Sequence, residues 1–210
     1  CVVTDASANI GPATQVIEAA GRYMIPGLID AHMHIESGML TPARFAEAVI
    51  PHGTTALFHD PHEIANVMGL DGVRLMRDES LIQPISMFTQ MPSCAPSAPG
   101  LETTGAPISA GEVAQAMGWE GIIGLGEMMN FPGVAAGDEQ MLAEIAATRA
   151  AGKTVGGHYA SPDLGRPFHA YVAGGAADDH ETTSEAQGIA RVRQGMGCMM
   201  RLGSAWYDVA

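Results

Sequence analysis

Thiols and basic side chains are scarce in these 210 residues, and each scarcity removes a class of function. Cys1, Cys94 and Cys198 are odd in number, lie far apart and form no C-x-x-C pair. Neither a disulfide framework nor a thiolate zinc site is expected from them, and a reducing, cytoplasmic setting follows. Lys153 is the single lysine, and ten basic residues face 23 acidic ones, giving a net charge of −13. Phosphate binding needs a basic face, so nucleic acid is not an expected partner. The acidity reads as a solubility feature. No apolar run of about 18 residues is present, so no membrane span is expected. The first residues also lack the basic and then apolar pattern of a leader peptide.

What is present is the composition of a globular chain, 47% hydrophobic and 16% charged. The 26 glycines are dispersed between apolar runs, as many tight turns require. Val2-Val3-Thr4 and Gln15-Val16-Ile17-Glu18 flank a Gly11-Pro12 turn, so residues 1–25 are expected to belong to a small flanking β-domain. From Pro26 onward, short apolar runs alternate with segments of helical period. That is the rhythm of βα units around a parallel sheet. Strands are expected near 27–35, 54–59, 84–91, 121–127, 154–158, 176–180 and 197–202. Helices are expected near 42–50, 61–77, 110–117, 138–151, 163–173 and 183–193. The helix from Asp138 is the best marked: Asp138 and Glu139 suit its N-terminus, Met141, Leu142 and Ile145 repeat at helical spacing, and Gly152 stops it. The fold class is therefore α/β, a TIM-like (β/α)₈ barrel over residues 26–210. About seven strands are present, and the chain is expected to be cut before the eighth.

The histidines fall at telling places. His32 and His34 sit two apart in the apolar stretch Gly27-Leu28-Ile29-Asp30-Ala31-His32-Met33-His34. In a strand this spacing puts both imidazoles on one face, about 7 Å apart along the chain, where they can grip one metal ion. Glu127, His158 and His180 each end another apolar run, at the strand end where barrel active sites are assembled. Any one of them alone reads as an ordinary core or loop residue. Together they read as a metal site. Imidazole and carboxylate without thiolate suit Zn, Mn or Fe with an open position. Glu127 could bridge two ions, and such a pair would acidify a shared water for hydrolytic attack on a polarised carbon.

Pro26–His34 resembles the first-strand signature of the amidohydrolase superfamily. The segments Ile35-Glu36-Ser37-Gly38-Met39-Leu40-Thr41-Pro42, Asp60-Pro61-His62-Glu63-Ile64-Ala65-Asn66-Val67 and Gly124-Leu125-Gly126-Glu127-Met128-Met129-Asn130-Phe131-Pro132-Gly133 resemble its adenine deaminase family. The resemblance runs over nearly the whole chain. It implies a binuclear centre with His32, His34, Glu127, His158 and His180 as ligands, and with Glu127, His158 and His180 in the catalytic role. Manganese is the implied metal, with iron or zinc as alternatives. The implied reaction is hydrolysis of adenine to hypoxanthine and ammonia. Two alternatives stand beside it: an amidohydrolase acting on an N6-substituted purine, another exocyclic amine or an amide, and a non-catalytic metal-binding homologue. The partner would be a small-molecule purine, and a homo-oligomer of the full-length protein is compatible with the family. Relatives that bridge their metals with a carboxylated lysine do so on strand four, whereas Lys153 begins strand five. The eighth-strand aspartate of the superfamily lies outside this chain.

Asp60, His62 and Glu63 follow the second strand at the same barrel end and are candidates for substrate contact. Their alternative is a helix start capped by Asp60 with Pro61 in the first turn. Met129 and Asn130, with Met128 and Phe131, are expected in a loop walling a flat pocket, with core packing as the rival for the methionines. One of Asp178, Asp179 and Glu181 is expected to hydrogen-bond a ligand histidine, and the others to be solvated. His59 and Tyr159 are larger than the family pattern and are expected at the metal rim.

Overall fold

A computed structural model describes residues 11, 12 and 15–203. Seven strands and eight α-helices alternate along them. In order these are β1 (Leu28–Met33), α1 (Pro42–Val49), β2 (Thr54–His59), α2 (His62–Met68), α3 (Leu70–Ser80), β3 (Ser86–Met91) and α4 (Ala110–Ala116). There follow β4 (Ile122–Met128), α5 (Phe131–Ala136), α6 (Glu139–Ala150), β5 (Thr154–Gly157), α7 (Arg166–Gly174), β6 (Asp178–Asp179), α8 (Glu185–Arg193) and β7 (Gly197–Cys198). Strands β1 to β5 form one parallel sheet in chain order, and β6 pairs in parallel with β7. The Ala177 N–H donates to the Val155 carbonyl at 2.9 Å, tying the second sheet to the edge of the first. The result is an incomplete TIM-like barrel, as the alternating pattern predicts.

Each predicted strand is present, although β6 and β7 are only two residues long. The helices differ in two places. The expected helix over 61–77 is broken at Gly69, whose φ of 59° lies outside what an α-helix accepts. The break lets α3 fold back on α2 so closely that a Cβ on Gly72 would stand 2.7 Å from the Ile64 carbonyl oxygen. Helix α5 lies where a loop is expected. Asn130 starts it by accepting a hydrogen bond from Gly133 N–H at 3.0 Å, Pro132 occupies its first turn, and Gly137 closes it.

The main core lies between β3–β5 and helices α4–α7, with Met91, Leu125, Val155, Tyr159, Phe168 and Tyr171 at its centre. A smaller cluster of Ile35, Ala46, Leu57, Met76 and Met87 sits under β1 and β2. Lys153 reaches away from the strand C-termini and donates to the carbonyls of Met117 and Ile122. Val2–Thr4 of the expected hairpin lie outside the described residues, and Gln15–Glu18 are exposed with no assigned strand. Among the described residues no helix is long and apolar enough to cross a membrane.

Candidate metal centre

Four strand ends of the main sheet and the end of β6 meet at one place, and Glu127 stands at its middle. This carboxylate is buried near the end of β4. His158 Nδ1 lies 2.6 Å and His180 Nε2 2.9 Å from its Oε2. His32 Nε2 lies 3.7 Å from the same oxygen, while His34 Nε2 is 3.4 Å from Oε1. The two histidines of β1 therefore share a face, as their spacing predicts. His32 stacks on His180 with ring centroids 3.9 Å apart. His62, in the first turn of α2, brings a fifth imidazole, its Nδ1 3.1 Å from Glu127 Oε1.

Burial and crowding set the charge of these groups. Burial, reinforced by His180 nearby, lowers the pKa of His32 to about 3, so its ring is neutral. Burial opposes the charge of His62 too, but Asp60 and Glu127 outweigh it and raise that pKa to about 11. Burial alone would raise the Glu127 carboxyl. Hydrogen bonds from His158, His180 and His62 instead hold it far below the usual carboxylate range. Glu127 is therefore a buried anion facing several ring nitrogens.

Groups whose donor atoms lie within 4.8 Å of one another, and which could hold a metal ion, are His32 with Glu127 and His180, and His158 with His180 and Glu181. His34 with His62 and Glu63, and Asp60 with His62 and Glu127, meet the same condition. The donor set suits a divalent transition metal, being imidazole and carboxylate only. One atom speaks for the fit: among the described residues His32 Nε2 is buried and has no hydrogen-bond partner, a costly state unless something accepts its lone pair.

Asp60 acts from behind the site. Its carbonyl receives His34 Nδ1 at 2.8 Å, and its carboxylate Oδ2 accepts from the Glu127 N–H at 2.8 Å. A Cβ at Gly126 would overlap that carboxylate, so the glycine makes room for the bond. Ser93 donates to the Glu127 carbonyl at 2.6 Å, closing the other side of the same residue. The Tyr171 hydroxyl accepts from the His158 N–H at 2.8 Å and donates to the Met128 carbonyl at 3.0 Å. Ser93 and Tyr171 carry no local sequence signal for these tasks.

Other expected site residues are placed differently. Glu63 stands at the mouth beside His62 and accepts from Ser37. Asn130 uses its Oδ1 to cap α5, and Met129 Sδ lies 3.8 Å from the Ser97 hydroxyl. His59 is not at the metal rim: its Nε2 meets Ser80 and Thr89 at 3.0 and 2.9 Å in the buried layer beneath α3. Tyr159 also turns away, packing fully buried among Phe131, Phe168 and Tyr171. Residue 159 follows His158, so when the histidine faces the site the next side chain faces the helix layer. Of the acidic residues around His180, Glu181 Oε1 lies 3.6 Å from its Nε2. Asp179 is not solvated but fully buried against Arg191.

The sequence pattern of the amidohydrolase family matches residues 23–199. The chain is 87% identical over 205 residues to an adenine deaminase of Paracoccus denitrificans, covering 98% of this chain and 34% of that protein. It is 73% identical over 209 residues to an adenine deaminase of Roseobacter denitrificans, covering 100% of this chain and 35% of that protein. A more distant relative, an adenine deaminase of Moorella thermoacetica, is 54% identical over 207 residues, covering 99% and 35%. The chain thus spans about a third of the length of these curated relatives.

Proposed function

This chain belongs to the amidohydrolase family, and we propose that it supplies the metal centre of an enzyme that hydrolyses adenine to hypoxanthine and ammonia. The observation that carries the metal part is the convergence of His32, His34, His158 and His180 on the buried carboxylate of Glu127, with His32 Nε2 lacking a hydrogen-bond partner among the described residues. The substrate part is supported by relatives named adenine deaminase at 54–87% identity.

In this reading those four histidines and Glu127 would hold two divalent ions, with manganese favoured over iron or zinc. When bound, such ions supply Lewis acidity and a water acidified toward neutral pH. The chain's own groups prepare the rest. His34 presents Nε2 inward because its Nδ1 is engaged by the Asp60 carbonyl. Glu127 is held from both sides by Asp60 and Ser93, so its two oxygens point at different histidines. His62 and Glu63 offer a proton donor and an acceptor at the mouth, matching the alternating donors and acceptors on the edge of a purine. Met129 and Asn130 form the wall after β4. His62, Glu63, Met129 and Asn130 are in this sense the substrate side of the site, with Asp60 behind it.

The deciding experiment uses the full-length protein, manganese-loaded and assayed for ammonia release from adenine. Turnover of adenine is expected. Turnover of an N6-substituted purine or an amide without adenine turnover would overturn the substrate and spare the metal centre. Metal binding without any turnover would favour a non-catalytic homologue.

A further inference from the structure

Arg191 and Asp179 lie outside the side chains given a task above, yet both are fully buried and ion-paired, Nε to Oδ1 at 3.0 Å. Burying two charges is costly, and an apolar pair of similar volume is often at least as stable. The remaining bonds of the pair show what it does instead. Asp179 Oδ2 accepts from the Tyr159 N–H at 2.6 Å, and its Oδ1 accepts from the Glu181 N–H at 2.7 Å. Arg191 donates from one terminal nitrogen to the Tyr159 carbonyl at 2.8 Å, and from the other to the Gln187 carbonyl within α8 at 3.2 Å. Both backbone groups of the residue after His158 are thereby tied to the pair, as is the N–H of Glu181, the residue after His180.

The ladder between β5 and β6 does not supply this restraint. Its backbone bond, from the Ala177 N–H to the Val155 carbonyl, lies three residues before each histidine. Beyond it, side-chain carboxylates replace main-chain acceptors: Asp178 Oδ1 takes the Gly157 N–H at 3.0 Å, and Asp179 takes that of Tyr159. At the end of this stretch His158 Nδ1 and His180 Nε2 stand 3.2 Å apart.

We propose that Arg191 and Asp179 are a positioning pair that sets the separation of His158 and His180, and with it the affinity of the cation those imidazoles share with Glu127. The proposal rests on the metal-centre reading above. The geometry assigns the work to the pair because together Asp179 and Arg191 hold both backbone groups of Tyr159 and the N–H of Glu181.

The test is made in the full-length protein by manganese content, manganese titration and the unfolding temperature of the metal-free form. Changing Asp179→Leu and Arg191→Met together leaves neither charge unpaired. The expected result is a metal-free unfolding temperature lowered by the unpaired Tyr159 N–H and carbonyl, with the affinity of one manganese equivalent falling about 10–100-fold, by more than that loss of stability accounts for. Arg191→Lys keeps the charge but loses the forked donor, and a smaller fall is expected. Should the double variant not fold, Arg191→Lys decides alone. Parental affinity in the folded variants would overturn the proposal, and so would a loss of affinity that merely tracks a loss of metal-free stability. His180→Ala separates the two levels: both manganese equivalents retained in that variant would sink the metal-centre reading itself.

Discussion

The two flanks of the centre are held by different physics. On the β1–β2 flank, a single residue does the work: the Asp60 carbonyl orients His34, and the Asp60 carboxylate takes the Glu127 N–H. Asp60 directly follows β2, which lies beside β1 and one strand away from β4. On the β5–β6 flank the strands are short, and the restraint is a buried ion pair brought in by α8. The first flank uses what a parallel sheet provides. The second substitutes side chains for a ladder that stops early.

Glu127 joins the flanks, so its loss should erase the difference between them. Glu127→Gln is expected to cost at least about 10³-fold in turnover of the full-length protein and to remove bound manganese, measured by ammonia release and elemental analysis. A variant that keeps both metal equivalents would show that the flanks bind independently.

Gly126→Ala strikes the β1–β2 flank alone. The added Cβ displaces the Asp60 carboxylate from the Glu127 N–H, leaving a buried donor unpaired at a cost of about 1–3 kcal/mol. A fall of about 10–100-fold in manganese affinity should accompany it. Isothermal titration checks this, and an unchanged affinity would mean that Asp60 does not govern Glu127.

The smallest effect on metal binding belongs to a charge in neither flank. Glu144 is fully buried in α6, its Oε2 has no hydrogen-bond partner among the described residues, and burial raises its pKa to about 8. The folded form keeps a proton that the unfolded chain, at about 4.5, has released. The contribution of Glu144 to stability should therefore decline as pH rises from about 4.5 to 8 and level off above it. Glu144→Gln removes that decline and should gain about 2–4 kcal/mol at pH 8, with little gain at pH 4. Unfolding temperatures across pH check the slope, and metal affinity should not move.

Much of this was legible because the relevant periods are local. Strand positions follow from short apolar runs, and His32 with His34 share a face because a strand alternates sides. Glu127, His158 and His180 stand out as polar ends of apolar runs. The broken helix was less legible, since a glycine inside a helical pattern tells little about its φ until the helices pack. Helix α5 hides in six residues, too few for a period to show. His59 and Tyr159 invite placement at the rim by adjacency, but alternation turns them to the opposite layer.

By itself the sequence determined the βα order, the strand ends and the set of groups that could meet a metal, because each depends on neighbours a few residues away. Tertiary structure alone decided how those groups are aimed. The Asp60–Glu127 bond spans 67 residues, and Arg191 reaches Tyr159 across 32. Such pairings arise only when the sheet curls and the helices close over it, and they leave no periodic trace along the chain.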